Sequence, residues 1–314
     1  MKQLINPDSF KKSIRLALQS NYDKSAALER VRKRLAATDD GILHFRHDRG
    51  YVNFYEKIND KQKYIPKKSE HLYNLARRKY LSLLLHAIED NTPENIASLQ
   101  ALIDEFVKGN LDIARIVMTY NQYNWFKQSF LKKKMDLSNA KYTNNNVPVR
   151  SKSERDIGNE LEDFAVPFHY EEKQLVKVFP LVRELENDLR ERGFLSGNLC
   201  HLRGSTCIWH VPKELEWMNC PGSIWRAYNP RTGNITIFND FKILLADNEI
   251  IFWEHEGLCN DFIYRSNASE RELILKYTNT VKRGNFISTF EIEVSNRELL
   301  RQIISSEILP RLWF

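Results

Sequence analysis

Residues 234–255 read NITIFNDFKILLADNEIIFWEH. Two runs of β-branched and aromatic residues flank a short polar stretch, Ala246-Asp247-Asn248, the pattern of a β-hairpin. It is too apolar to stand in water, so the chain around it must build a layered fold that buries it. Alternation places Ile235, Ile237, Phe241, Ile243 and Leu245 near one face, with Thr236, Phe238, Asp240, Lys242 and Leu244 on the other. A three-residue loop pairs Leu245 with Glu249 and sets Asp240 opposite Glu254, with Cβ atoms about 5 Å apart. A loop of two or four residues puts Asp240 opposite His255 instead. Facing carboxylates repel unless a cation lies between them.

The chain has 314 residues, room for one large domain or two ordinary ones. At 42% hydrophobic and 28% charged it can fill a core, and disorder is expected only in short pieces. The opening MKQLINPDSFKKS has no apolar run of signal-peptide type, and LSLLLHAI and IIFW are too short to cross a bilayer. A soluble, cytoplasmic protein with no membrane partner is expected. Four cysteines are too few for a disulfide scaffold and are read as thiols. Charge is uneven. Residues 1–150 hold 27 Lys and Arg against 16 Asp and Glu, whereas residues 151–314 hold 20 against 25. A basic half beside an acidic half suits a grip on a polyanion next to a carboxylate-rich site, although solubility alone also accounts for it.

Helical spacing covers residues 8–37. GILHFRHDRGYVNFYEK reads as a hairpin turning at Asp48-Arg49-Gly50. A long amphipathic helix then follows Pro66, with Ser69 as its cap, and a further helix is opened by Pro93 and closed by Gly109. The Asn- and Ser-rich stretch DLSNAKYTNNNVPVRSKS lacks periodicity and reads as a linker. The expected organisation is an N-terminal helical and hairpin domain over 1–135, a linker at 136–149, and an α/β (α+β) domain over 150–314 with a mixed sheet. In the second domain KQLVKVF and FISTFEIE read as extended, while VRELENDLRER, SERELILKYTNTVK and NRELLRQIISSEIL read as helical.

Ser151-Lys152-Ser153-Glu154 fits a capping box, which gives Glu154 a purely local role. Helix register also places Glu154 on the stripe of Ile157, Gly158, Leu161 and Ala165, away from Arg155, Glu160, Glu162 and Asp163. An inward carboxylate needs a positive partner. Acids from a helix and two paired strands suggest a hard divalent ion bound by oxygen, Mg²⁺ or Mn²⁺.

In order, the stretches RSKSE, YEEKQL, NDF, WEHEG, Lys276 eight residues before Gly284, and ISTFE resemble the PD-(D/E)XK nuclease superfamily. The similarity is to a bacterial branch carrying R-S-K-S-E, P-D-F and W-E-H-x-G, and it spans roughly 150–314. YIPKK followed by LARRKY extends it into the first half. The resemblance implies a restriction-endonuclease-like core of mixed sheet flanked by helices. It makes Asp240 and Glu254 metal ligands and Glu154 the first-helix acid, with His255 completing the metal site through its carbonyl. Asn239 stands where the branch has proline, a change without chemical consequence on this reading. Glu256 stands where the superfamily has its lysine. Lys276 is the first replacement, Lys242 the second and Lys152 the third, and the His255 ring is a candidate general base.

Residues 176–232 read as an insertion holding Cys200, His201, Cys207, His210 and Cys220, with Cys207 and His210 spaced to donate to zinc. Trp209, Trp217 and Trp225 suit base stacking or a satellite core. Lys132, Lys133 and Lys134, at an expected helix end, together with Arg150 and Lys152, are candidates for phosphate contacts. The expectation is a metal-dependent endonuclease using Mg²⁺ or Mn²⁺, acting on DNA rather than RNA, with a homodimer left open. The rival is a nucleic-acid-binding protein on an inactive nuclease fold.

Overall fold

The computed structural model describes residues 4–193, 200–203, 206–209, 228–229, 231–257, 269, 271–276, 278–282 and 284–314. The first expected helix is two, α1 (Pro7–Gln19) and α2 (Lys24–Ala36), because Asn6 and Asp23 each cap a helix with a side-chain oxygen. The hairpin has a third strand. β1 (Ile42–Asp48), β2 (Tyr51–Ile58) and β3 (Lys61–Ile65) form an antiparallel sheet in that order. Both connections have two residues at positive φ, Arg49-Gly50 and Asn59-Asp60, the backbone that matches strand twist. Asn59-Asp60, a turn pair outside the expected hairpin, leads into β3. α3 (Glu70–Asp90) starts after Ser69, whose side chain makes no cap hydrogen bond. α4 (Pro93–Lys108) is capped by Thr92 and stops at Gly109, where an added Cβ would lie 2.2 Å from the Phe54 ring. α5 (Ile113–Val117) and α6 (Tyr120–Lys127) complete this part.

β4 (Lys141–Tyr142) and β5 (Pro148–Val149) pair within the linker stretch. α7 (Lys152–Asp163) then leads to β6 (His169–Tyr170) and β7 (Lys173–Lys177). Next come α8 (Phe179–Glu191) and a pair of strands, β8 (Cys200–Arg203) and β9 (Thr206–Trp209). After β10 (Tyr228–Asn229), the aspartate segment is divided between β11 (Asn234–Phe238) and β12 (Phe241–Leu244), followed by β13 (Ile250–Glu256). β14 (Phe286–Phe290) ends earlier than its sequence suggested, because Glu291–Ser295 turns into α9. α10 (Arg297–Ile303), a π-helical turn at Ile304–Ile308 and α11 (Leu309–Trp313) close the chain.

The class is mixed α/β, as expected. A four-stranded sheet runs β14-β13-β12-β6, with β13 and β14 parallel and the other pairs antiparallel. β10, β11 and β7 form a second sheet. The two are joined through one strand pair. β6 and β7 face β12 and β11 in a single register, broken at Glu171-Glu172 and Asn239-Asp240, with the Glu171 amide donating to the Asp240 carbonyl at 3.0 Å. Glu171 has φ 47°, which bends the strand there.

Phe241, Ile243, Leu245, Ile251 and Trp253 belong to the main core, whereas Ile235, Ile237 and Phe252 belong to a smaller one with Val176 and Leu275. β12 is therefore buried on both faces, and its run of apolar residues follows from that. The main core also holds Phe10, Tyr80 and Trp313, so residues before and after 136–149 share it. No helix among the described residues is long and apolar enough to cross a membrane.

Candidate acidic site at the strand break

The hairpin register puts Phe241 opposite Trp253 and Leu244 opposite Ile250. Leu245 donates its amide to the Glu249 carbonyl at 2.8 Å, and Asn248 sits at φ 68°. The loop is thus the three-residue one, and one step beyond the ladder Asp240 stands against Glu254. The His255 amide donates to Asp240 Oδ2 at 2.7 Å. Glu254 is 2% exposed, with Oε1 accepting from Asn239 Nδ2 at 2.6 Å and Oε2 lying 3.2 Å from the Arg271 guanidinium.

The structure bears out the capping reading of Glu154. Its amide bonds Ser151 Oγ and its Oε2 accepts from the Ser151 amide, closing the capping box. The same oxygen accepts from the Arg150 amide at 2.8 Å and from Tyr170 Oη at 2.9 Å. The carboxylate is 9% exposed and points inward, anchored by neutral donors. Replacing Ser151 with Ala is expected to lower stability by about 1 kcal/mol, read as a lower urea midpoint at unchanged slope.

Burial, followed by the charges of Glu254 and Glu154, pushes the Asp240 carboxyl well above its ordinary range, against the pull of the His255 amide and Arg271. Burial raises Glu254 too, while Arg271 and Asn239 hold it back. Tyr170 is driven far above the usual phenol range by burial and by Glu154. The carboxylates are therefore close enough to feel one another. Between the ordinary Asp value of about 3.9 and the raised one, folded Asp240 keeps a proton that the unfolded chain has lost. Stability falls as pH rises through that window. In EDTA, Asp240→Asn is expected to raise stability at pH 7.5 by an amount on the order of 1–3 kcal/mol, and by less at pH 5. Urea melts at the two pH values check this; an equal gain at both contradicts it.

Lys133 and Arg150 bring positive charge near the acids. Residues 131–134 are extended, not the helix end expected. Lys132 bridges to Glu172, the Lys173 amide donates to Leu131 and the Lys133 amide to Glu171. The Lys133 ammonium is 3.9 Å from Glu171 and its charge reaches Glu254. Lys132 lies 4.9 Å over the Phe130 ring, and the Lys134 carbonyl accepts from Arg150, whose Nε bonds Glu171 at 2.7 Å. Lys152 is exposed at the start of α7.

The other candidates are engaged differently. Lys276 bonds Glu272, lies over the Phe286 ring and is half-exposed. Lys242 is buried and pairs with Glu172 at 2.8 Å. Burial opposes ionisation of Glu172, but hydrogen bonds from His169 and Lys242 outweigh it and hold the group below its ordinary range. His255 meets Asp240 through its amide, while its ring faces Glu291 at 3.2 Å through Nε2. Glu160, assigned to the charged face, is buried with Arg297 and Arg301 as partners. The cation against Glu254 is Arg271, for which the sequence offered no signal. Tyr170 and Glu171 lie in YEEKQL, a stretch noted without a role. Asn239, read as inconsequential, is fully buried against Glu254. His210, Trp217, Cys220 and Trp225 lie outside the described residues, as do the side chains of Cys200, His201, Cys207 and Trp209.

Among the described residues no three His, Cys, Asp or Glu side chains stand together as a ready metal-ligand set. Comparisons with protein-family models, curated proteins and solved structures return no match to this chain.

Proposed function

We propose that the chain hydrolyses phosphodiester bonds in nucleic acid, DNA before RNA, with Mg²⁺ or Mn²⁺ at Asp240 and Glu254. The observation that carries this reading is the pair itself: two buried carboxylates set against each other by strand register, with Asp240 left short of compensating charge. All-oxygen donors of this kind fit a hard divalent ion. Mg²⁺ is commonly held by one or two carboxylates, with water and substrate phosphate completing its shell, so a third protein ligand is not required. Such an ion polarises the phosphate and lowers the pKa of bound water. Asn239 and the His255 amide orient the two acids. Lys133 and Arg150, both beside Glu171, would be the cations to meet a phosphate, and Glu154 fixes the start of α7. The resemblance to PD-(D/E)XK nucleases, with acids in the same order along the chain, supports the same assignment.

A second reading has its own support. Both Glu254 oxygens already have protein partners, and Arg271 stands where a metal would draw the carboxylate. A chain that binds nucleic acid without cutting it would look like this. End-labelled DNA and RNA, incubated with the protein in Mg²⁺, Mn²⁺ or EDTA, separate the two. Cleavage in metal and none in EDTA supports hydrolysis. Binding without cleavage in every metal supports the second reading.

A further inference from the structure

The three-stranded sheet β1-β2-β3 buries one face only. Leu43, Val52, Phe54 and Ile65 lie in the core against α3 and α4. The register aligns the opposite face in cross-strand rows: His44 with Tyr55 and Tyr64, Ile42 with Lys57 and Gln62, Arg46 with Asn53, and Asp48 with Tyr51. An antiparallel sheet open to water is ordinarily polar on that side. Here Tyr51 is 69% exposed, Tyr64 51% and Ile42 58%. Tyr55 and Tyr64 meet edge to face at 5.8 Å, and the Arg46 guanidinium lies 5.6 Å from the Tyr55 ring centre.

The surrounding charge is mostly positive. Residues 42–68 hold seven Lys and Arg against three Asp and Glu. Of the three acids, Glu56 is on the buried face with His71 at 3.0 Å, and Asp60 pairs with Lys57 at 2.8 Å within its turn. Asp48 is the carboxylate left on the open face. Arg49, in the β1–β2 turn beside this face, has no ion-pair partner among the described residues, while Lys61 and Lys63 stand on edge strand β3 in the rows of Ile58 and Glu56, on the opposite side. Lysines on an edge strand also guard against strand-to-strand aggregation, which accounts for Lys61 and Lys63. It does not account for a tyrosine ladder, which invites association.

We propose that this face binds single-stranded nucleic acid, stacking bases on Tyr51, Tyr55 and Tyr64 while Arg46, Arg49 and Lys57 contact the phosphates. Rings standing on an open sheet recognise bases whose faces are free. A duplex keeps those faces inside its own stack, so the geometry selects single strands. The inference deepens the function proposed above and rests on it for the strand being the substrate. Binding can be measured without metal, so the two fail separately.

The test is fluorescence anisotropy of a labelled oligo-dT, an oligo-rU and a duplex of equal length, with the full chain in EDTA. Both single strands are expected to bind more tightly than the duplex. Tyr51→Ala and Tyr64→Ala, at exposed positions that leave the core intact, are each expected to weaken single-strand binding by on the order of tenfold or more. Tyr64→Phe should retain most of it. Preference for one of the two single strands assigns the sugar. Equal affinity for the duplex, no binding to any strand, or alanine variants that bind like the parent each overturn the proposal. Cleavage in Mg²⁺ alongside unaffected tyrosine variants would overturn this inference and leave the nuclease reading standing; tyrosine-dependent binding without cleavage would do the reverse.

Discussion

Asp240→Asn and Glu254→Gln are each expected to lower metal-dependent cleavage about a thousandfold or more, while leaving the chain folded. A bound divalent ion supplies several kcal/mol of transition-state stabilisation, and each 1.36 kcal/mol is a factor of about ten in rate. Both substitutions keep side-chain size and remove only charge. Because burial, with the charges of Glu254 and Glu154 added, burdens ionised Asp240 when no metal is present, its amide variant should be more stable, not less. A variant that loses cleavage and gains stability together separates chemistry from damage. Loss of cleavage with loss of fold would instead place the pair in the framework. The assay is single-turnover cleavage of labelled DNA, with urea melts on the same samples.

Trp313→Ala is expected to cost about 3–5 kcal/mol, the range for removing a large aromatic from a core. Trp313 is fully buried and meets Phe10 edge to face at 4.9 Å. Its indole nitrogen donates to Ser13 Oγ at 2.7 Å, and its carbonyl accepts from Arg34 at 3.0 Å. The neighbouring Phe314 ring lies 5.0 Å from Tyr22. Truncation therefore opens a cavity and leaves a buried hydroxyl without its partner. Residues 309–314 close the same core that α1 begins, so the loss should appear as one cooperative transition shifted to lower urea. Two separated transitions would show that residues before and after 136–149 melt independently.

What the sequence disclosed was local and periodic. The hairpin was readable from the runs around Ala246-Asp247-Asn248, but the loop length was not; the bond from the Leu245 amide to the Glu249 carbonyl selects the register that sets Asp240 against Glu254 over the one that sets it against His255. The capping box at Ser151 was readable because it lies within four residues. What stayed hidden depends on distant pairing. The break at Glu171 and Asn239, which divides one strand pair between two sheets, needs both partners to be known. Arg271 reaches Glu254 from a segment with an ordinary charged pattern, and Lys133 reaches it because the backbone around it pairs with Glu171 and Glu172, not by helix geometry. Lys242, expected on Asp240's face, is taken by Glu172, a partner outside its own hairpin. Trp313 and Ser13, 300 positions apart, could not be matched by any periodicity.

The most direct measurement is a Mn²⁺ titration of the chain at neutral pH, followed by electron paramagnetic resonance of the free ion. One ion bound per chain, with that binding lost in Asp240→Asn and in Glu254→Gln, is the result this account requires. Binding that survives both substitutions, or no Mn²⁺ bound by the parent chain with nucleic acid present, would mean the two carboxylates hold no ion.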